Sequence, residues 1–316
     1  MLIWWLSISD WVMEPANPSR PDIPYPACSG YTKVHITRTC WIWSIWFALI
    51  YGCHYLIGNQ KLPDQHKHWG CGCLSPTISP EDPFVTITPY GKDIEPNVPD
   101  KDTVMDTFCQ LSRLIGINSI AWRYDSVLID SHWTVDRHIE AFIAMAERLS
   151  GFTQTCVISF IDLYEKVKRN YPEAKFVSSD DQIRLTTAFV EIGKKHGMVI
   201  KPCGESKALE ALGADCSGCM TVRTFETAIG QNLNVPPNPG NRKECACYLT
   251  GDIGAYNTCG HLCRYCYANA EKDIVLRNMK KHDPESPFLI GNALPGDVVK
   301  QSKQKSWIDP QMRFVF

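Results

Sequence analysis

Cys259, Cys263 and Cys266, spaced C-x-x-x-C-x-x-C within eight residues, are the side chains of this 316-residue sequence best suited to chemistry. Thiolates ligate soft metals, and their number decides what the metal can then do. A structural zinc ion takes four protein ligands in a closed tetrahedron, whereas a four-iron cluster held by only three thiolates leaves one iron open to a small molecule. Ordinary buried cysteines explain the motif poorly, because the intervening Gly260, His261 and Arg264 do not make an apolar core face. A zinc ion completed by His261 or His282 is the competing reading.

A second group of thiols precedes the first. Residues 203 to 266 hold eight of the fifteen cysteines. With the three-thiol motif set aside, Cys203, Cys219, Cys245 and Cys247 make a candidate four-ligand site for a second cluster or a zinc ion, with Cys216 as a substitute. Cys216-x-x-Cys219 has a common metal-knuckle spacing, while Cys245-x-Cys247 is tighter than usual, and reduced thiols without a metal are the plain alternative.

These residues need a scaffold, and the middle of the chain supplies one. Phe84 to Thr88 reads as a strand, followed by a helix with Val104, Phe108, Leu111 and Ile115 on one face. Ser119 to Trp122 is the next strand, Thr134 caps a helix running to Leu149, and Cys156 to Ile161 is a nearly continuous apolar strand. Ser179 to Gln182 has the form of a capping box opening a helix to about Gly193, and Met198 to Ile200 is a fourth strand before a short helix at 208–212. The alternation predicts an α/β fold with a parallel sheet, a TIM-like (β/α) barrel or part of one. Arg123, Asp125, Asp162 and Glu205 fall at or just past predicted strand ends, where such folds place their active sites. After the thiol motif, Tyr267 to Lys281 reads as a helix with a basic C-terminal end, and residues 293–316 as a polar tail.

Composition narrows the class. Hydrophobic content of 44% and charged content of 21% are those of a globular protein, and a net charge of −2 gives no general attraction to nucleic acid or to an anionic membrane. An odd count of fifteen cysteines without a convincing signal peptide points to a reducing cytoplasm and metal ligation rather than to a disulfide framework. The first 83 residues differ from the rest, with six of the ten tryptophans before residue 47. Residues 41–58 contain no Asp, Glu, Lys or Arg, but Gly52, Cys53 and His54 dilute the run, and basic residues on both sides give no orientation, so a membrane span is not expected.

Several blocks together carry a family resemblance. The cluster spacing, with Tyr265 before the last cysteine, resembles the motif of radical S-adenosylmethionine enzymes. The runs Thr86 to Pro99, Trp122 to Asp125, Cys156 to Phe160 and Asp252 to Asn269 resemble domain-of-unknown-function family 1848 over roughly residues 84–292. That family carries a C-terminal cysteine cluster likened to the radical S-adenosylmethionine motif, which maps here onto Cys259, Cys263 and Cys266. The chain departs from the family ahead of this: Ser19-Arg20-Pro21-Asp22-Ile23-Pro24 is one residue short of the usual Ser-Arg-Arg-Thr-Asp-Ile-Pro, and an unrelated passage follows to about Pro83. A shifted reading frame or local rearrangement would explain the passage; one uninterrupted frame shared with close relatives would refute that.

The resemblance implies a [4Fe–4S] cluster, S-adenosylmethionine and an electron donor acting on an unknown small or macromolecular substrate. On that reading Arg123 pairs with the methionine carboxylate and Asp125 or Glu205 meets the amine or ribose. Tyr265 shields the cluster or contacts adenine, and Asn257 is a further cofactor contact. Two rivals use the same residues differently: a non-catalytic iron–sulfur or zinc-stabilised binding protein, and a nucleic-acid repair enzyme resembling spore photoproduct lyase. The near-neutral charge disfavours the second rival.

Overall fold

The computed structural model describes residues 84–237, 247–248, 255–282, 290–292 and 307–309. The expectations for residues 1–83, including the apolar run at 41–58, lie outside these, as does Cys245. No helix among the described residues is long and apolar enough to cross a membrane.

Four strands, β1 (Phe84–Thr86), β2 (Ala121–Val127), β3 (Thr155–Phe160) and β4 (Val199–Pro202), form a parallel sheet in chain order. Between them run α1 (Lys101–Ile115), α2 (Val135–Leu149), α3 (Glu165–Asn170) and α4 (Ser179–Lys195), and after the sheet come α5 (Val222–Ile229) and α6 (Lys272–Lys280). Consecutive order has a geometric consequence. Right-handed crossovers that always step to the next strand keep their helices on one face of the sheet.

The helix ends follow local chemistry. Asp100 caps α1 by accepting from the N–H groups of Asp102 and Thr103, and Thr134 caps α2 by accepting from Arg137 N–H. Ser178, not Ser179, caps α4, because its hydroxyl accepts from Asp181 N–H. The strands alternate between two environments. Val85, Ile87, Trp122, Tyr124, Cys156, Ile158 and Ile200 point to the helix-covered face and join the main core, where Trp122 stacks on Phe142 and Phe142 on Phe189. Phe84, Ala121, Val157 and Cys203 belong to a separate cluster, with Cys219 and Cys247, on the opposite face.

A polar chain runs through the helix-side core. His138 accepts from the Tyr124 hydroxyl at Nδ1 and donates from Nε2 to the Leu128 carbonyl, at 2.8 and 2.7 Å. Burial brings its pKa down to about 4, so the ring is neutral and structural. Two expectations are corrected in detail. β2 continues through Arg123 and Asp125 to Val127 instead of ending at Trp122. Residues 307–309, placed in the polar tail, pair with the segment after α5: Leu233 bridges Ile308, and Asn234 N–H donates to the Trp307 carbonyl.

Candidate functional site

The three-thiol motif is fastened to the loops beyond β1 and β3. Asn97 N–H donates to the His261 carbonyl and its side chain to the Gly260 carbonyl at 2.8 Å, while Arg264 N–H donates to the Ile94 carbonyl. On the β3 side, Arg264 pairs with Glu173 at 2.8 Å and lies over the Tyr171 ring, and Arg169 donates to the Ala270 carbonyl. Both loops leave the C-terminal ends of their strands. The motif therefore sits at the sheet edge where parallel α/β folds carry out chemistry.

Glu95 is the pin of this assembly. Its carboxylate is 2% exposed and accepts from the Thr88 hydroxyl at 2.6 Å, from Lys101 Nζ and from the Tyr265 hydroxyl. Tyr265 is thereby buried between Cys263 and Cys266 in the chain, edge-on to Tyr90, with its phenol pushed up by burial and by Glu95. Asn257 holds the loop itself together. In a left-handed conformation, φ 60°, it accepts from Ala270 N–H through its side chain, and its carbonyl accepts from Asn278.

The thiols are mostly covered: Cys263 and Cys266 are buried and Cys259 is half-buried. Burial raises the Cys263 pKa, and the nearby Glu95, Cys259 and Cys266 raise it further. Negative charge on all three sulfurs is costly unless a cation shares it. Burial also raises Cys266, while the backbone N–H groups of Asn269 and Ala268 donate to its sulfur and pull the other way. Asn269 donates to the Cys259 carbonyl at 2.8 Å, yet its buried Oδ1 has no partner. N–H donors on a thiolate fit a bound inorganic group, whereas the orphaned Oδ1, an acceptor, suits a cation or a donor and not a cluster sulfide. Among the described residues, no group of three or more His, Cys, Asp or Glu side chains is placed to hold a metal ion.

A second constellation occupies the sheet face opposite the helices. Arg123 Nε donates to Asp125 at 2.7 Å, and its Nη2 lies 3.7 Å from Cys203 Sγ. Burial would lower the Arg123 pKa, but Asp125, Cys203 and Cys219 more than offset it and hold the charge in place. Glu205 accepts from Phe160 N–H at 2.8 Å and from the Ser159 hydroxyl at 3.3 Å. Burial pushes its pKa up to about 7 against those two donors. Cys219 Sγ is 3.6 Å from Cys203 and 3.4 Å from Cys247. Its hydrogen bond to Cys203 and the Arg123 charge lower the Cys203 pKa against burial, while the same bond raises Cys219.

The sequence-predicted residues thus fall into two groups. Arg123, Asp125 and Glu205 share the opposite face with Cys203, Cys219 and Cys247, whereas Asn257 and Tyr265 belong to the three-thiol loop. Glu95 and Asn269 escaped sequence reasoning. A signal for Glu95 exists: it is another acidic residue just past a strand end, hidden in a segment that reads as a turn.

Comparison with known proteins agrees with this architecture only at the family level. The family model described as "Domain of unknown function (DUF1848)" matches residues 83–268. This chain belongs to that family. The match begins where the sheet begins and ends two residues beyond the last thiol of the motif. No curated protein and no solved structure matches the chain.

Proposed function

We propose that this DUF1848 member is an iron–sulfur protein of radical S-adenosylmethionine type, with Cys259, Cys263 and Cys266 as the cluster ligands. The observation that carries the reading is the docking of the motif on the loops past β1 and β3, which brings an otherwise C-terminal segment to the catalytic edge of the sheet. On this reading the sheet is an arc of a (β/α) barrel, since strands in consecutive order with helices on one side are how such a barrel begins. The late position of the motif in the chain is then no obstacle.

Cys259, Cys263 and Cys266 would hold a cluster whose open iron could take the amino and carboxylate groups of S-adenosylmethionine, and with an electron from an external donor the bound group would supply reductive cleavage of the sulfonium carbon–sulfur bond. The chain's own residues do the remaining work. Tyr265, clamped by Glu95, closes the motif against water. Asn269 and Ala268 stabilise thiolate charge at Cys266 through their N–H groups. Arg123, Asp125 and Glu205 line a polar face that the thiol loop does not share, so on this reading they meet substrate groups and not the methionine held at the open iron. Glu205, with a pKa near 7, holds or releases a proton close to neutrality.

The test is anaerobic purification and reconstitution, followed by iron and sulfide analysis and an assay for 5′-deoxyadenosine after reduction with S-adenosylmethionine present. The expected result is about four irons at the motif and nucleoside release. Stoichiometric zinc without sulfide would end the proposal. Iron without nucleoside favours the non-catalytic binding protein.

A further inference from the structure

The second group of thiols has a geometry of its own. Cys203 follows β4, Cys219 follows the turn at 215–218, and Cys247 arrives from further along the chain, yet Cys219 touches both of the others, at 3.6 and 3.4 Å. All three are buried, at 8%, 3% and 7% exposure. The scaffold around them is set. Lys201 pairs with Asp215 at 2.9 Å and donates to the Gly218 carbonyl, Ser217 N–H donates to Asp215, and Asp215 N–H donates to the Ile200 carbonyl. These contacts hold the turn that delivers Cys219 against the strand that delivers Cys203.

We infer that Cys203, Cys219 and Cys247 form a site for one thiophilic divalent cation, zinc, distinct from the Cys259 motif. Three observations converge. First, the separations approach those of a single-ion site that closes only on binding: zinc–sulfur bonds of about 2.3 Å in a tetrahedron place ligand sulfurs about 3.8 Å apart, so the two contacts need open by only a few tenths of an ångström while Cys247 and Cys203 turn to a common point. A cubane binds each cysteine to a different iron and spreads the sulfurs well beyond contact. Second, the sulfurs have the N–H donors that ligating thiolates use: Arg123 Nη2 faces Cys203, and Met220 N–H donates to Cys247 at 3.4 Å. Third, the charge calls for a cation: Arg123 is already matched by Asp125, so deprotonated Cys203, Cys219 and Cys247 would leave three uncompensated negative charges, which a divalent cation reduces to one. One further donor completes the tetrahedron.

The experiment uses the full chain with Cys259, Cys263 and Cys266 all changed to Ser, so that its outcome is independent of the radical reading. Cobalt(II) is the probe, because thiolate ligation gives it an intense near-ultraviolet charge-transfer band. The expected result is one equivalent of cobalt with that band, displaced by zinc. Adding Cys219→Ser should weaken cobalt binding at least about 100-fold, and adding Cys216→Ser less than about threefold. Should the serine variants fail to fold, alkylation of the unmutated chain decides: zinc protects Cys203, Cys219 and Cys247 together from iodoacetamide, and a chelator exposes them together. The inference is overturned by a folded triple-Ser chain that binds no cobalt, by iron and sulfide retained there, by a disulfide through Cys219 in anaerobically purified protein, or by alkylation indifferent to zinc.

Discussion

Glu205 makes a measurable link between the opposite face of the sheet and pH. Its carboxyl titrates near 7 in the folded chain and at 4.5 when exposed, chiefly because burial disfavours the charged form. The folded state therefore binds more protons than the unfolded state between those values, and stability must fall as pH rises through the window. The contribution is fully present below about 4.5 and gone above about 7. At about 1.4 kcal/mol per pKa unit the whole shift is worth at most about 3.5 kcal/mol. Glu205→Gln keeps an oxygen to accept from Phe160 N–H and removes the proton equilibrium. Urea unfolding of both proteins at matched metal content, at intervals from pH 5 to 8, gives two stability curves. The difference between them should shift by about 2–3 kcal/mol in favour of the glutamine variant as pH rises. Subtracting one curve from the other cancels the titrating groups that do not interact with Glu205, leaving only its own shift and its coupling to Asp162 and Asp125. Parallel curves would refute the burial argument.

Four further outcomes follow from particular contacts. Gly193 lies inside α4, and a Cβ there would meet the Met198 carbonyl at 2.9 Å and Ile200 Cδ1 at 2.9 Å, so Gly193→Ala should destabilise by about 1–3 kcal/mol in thermal or urea unfolding although alanine is the better helix former. Glu95→Ala strands Lys101 and the Tyr265 hydroxyl beside a buried hole, which should cost about 3 kcal/mol and loosen the thiol loop, read as faster hydrogen exchange over 257–266. Cys263→Ala should abolish cluster assembly on reconstitution; a full iron–sulfur spectrum in that variant would mean the ligands are misassigned. Tyr124→Phe leaves His138 Nδ1 without its buried donor and should cost about 1–2 kcal/mol in thermal unfolding.

What can be read from the sequence depends on how local the cause is. α2 is legible from end to end because Thr134 caps it and its apolar spacing is regular, and β3 is legible because its apolar run is nearly unbroken. α3 and α5, at six and eight residues, are too short for periodicity to rise above the neighbouring loops. Gly193 reads as a helix stop, the usual meaning of glycine, when its reason is the close approach of β4.

β2 is the most instructive case. Arg123 and Asp125 suggest the end of a strand because charges seldom lie within one. The strand runs on, since the two charges neutralise each other on the face opposite Trp122 and Tyr124. Alternation of large aromatics with an oppositely charged pair is therefore the mark of a strand whose second face is a buried polar site, not of a strand giving way to a loop. The same reasoning explains the thiols. Cys203, Cys219 and Cys247 are separated by 16 and 28 residues; the sequence gathers them with Cys245 and Cys216 by nearness along the chain, and spacing alone does not choose among the five. Only the parallel register, which sets the end of β4 beside the polar face of β2, brings Cys203 to Arg123 and gives Cys219 and Cys247 a place to meet it.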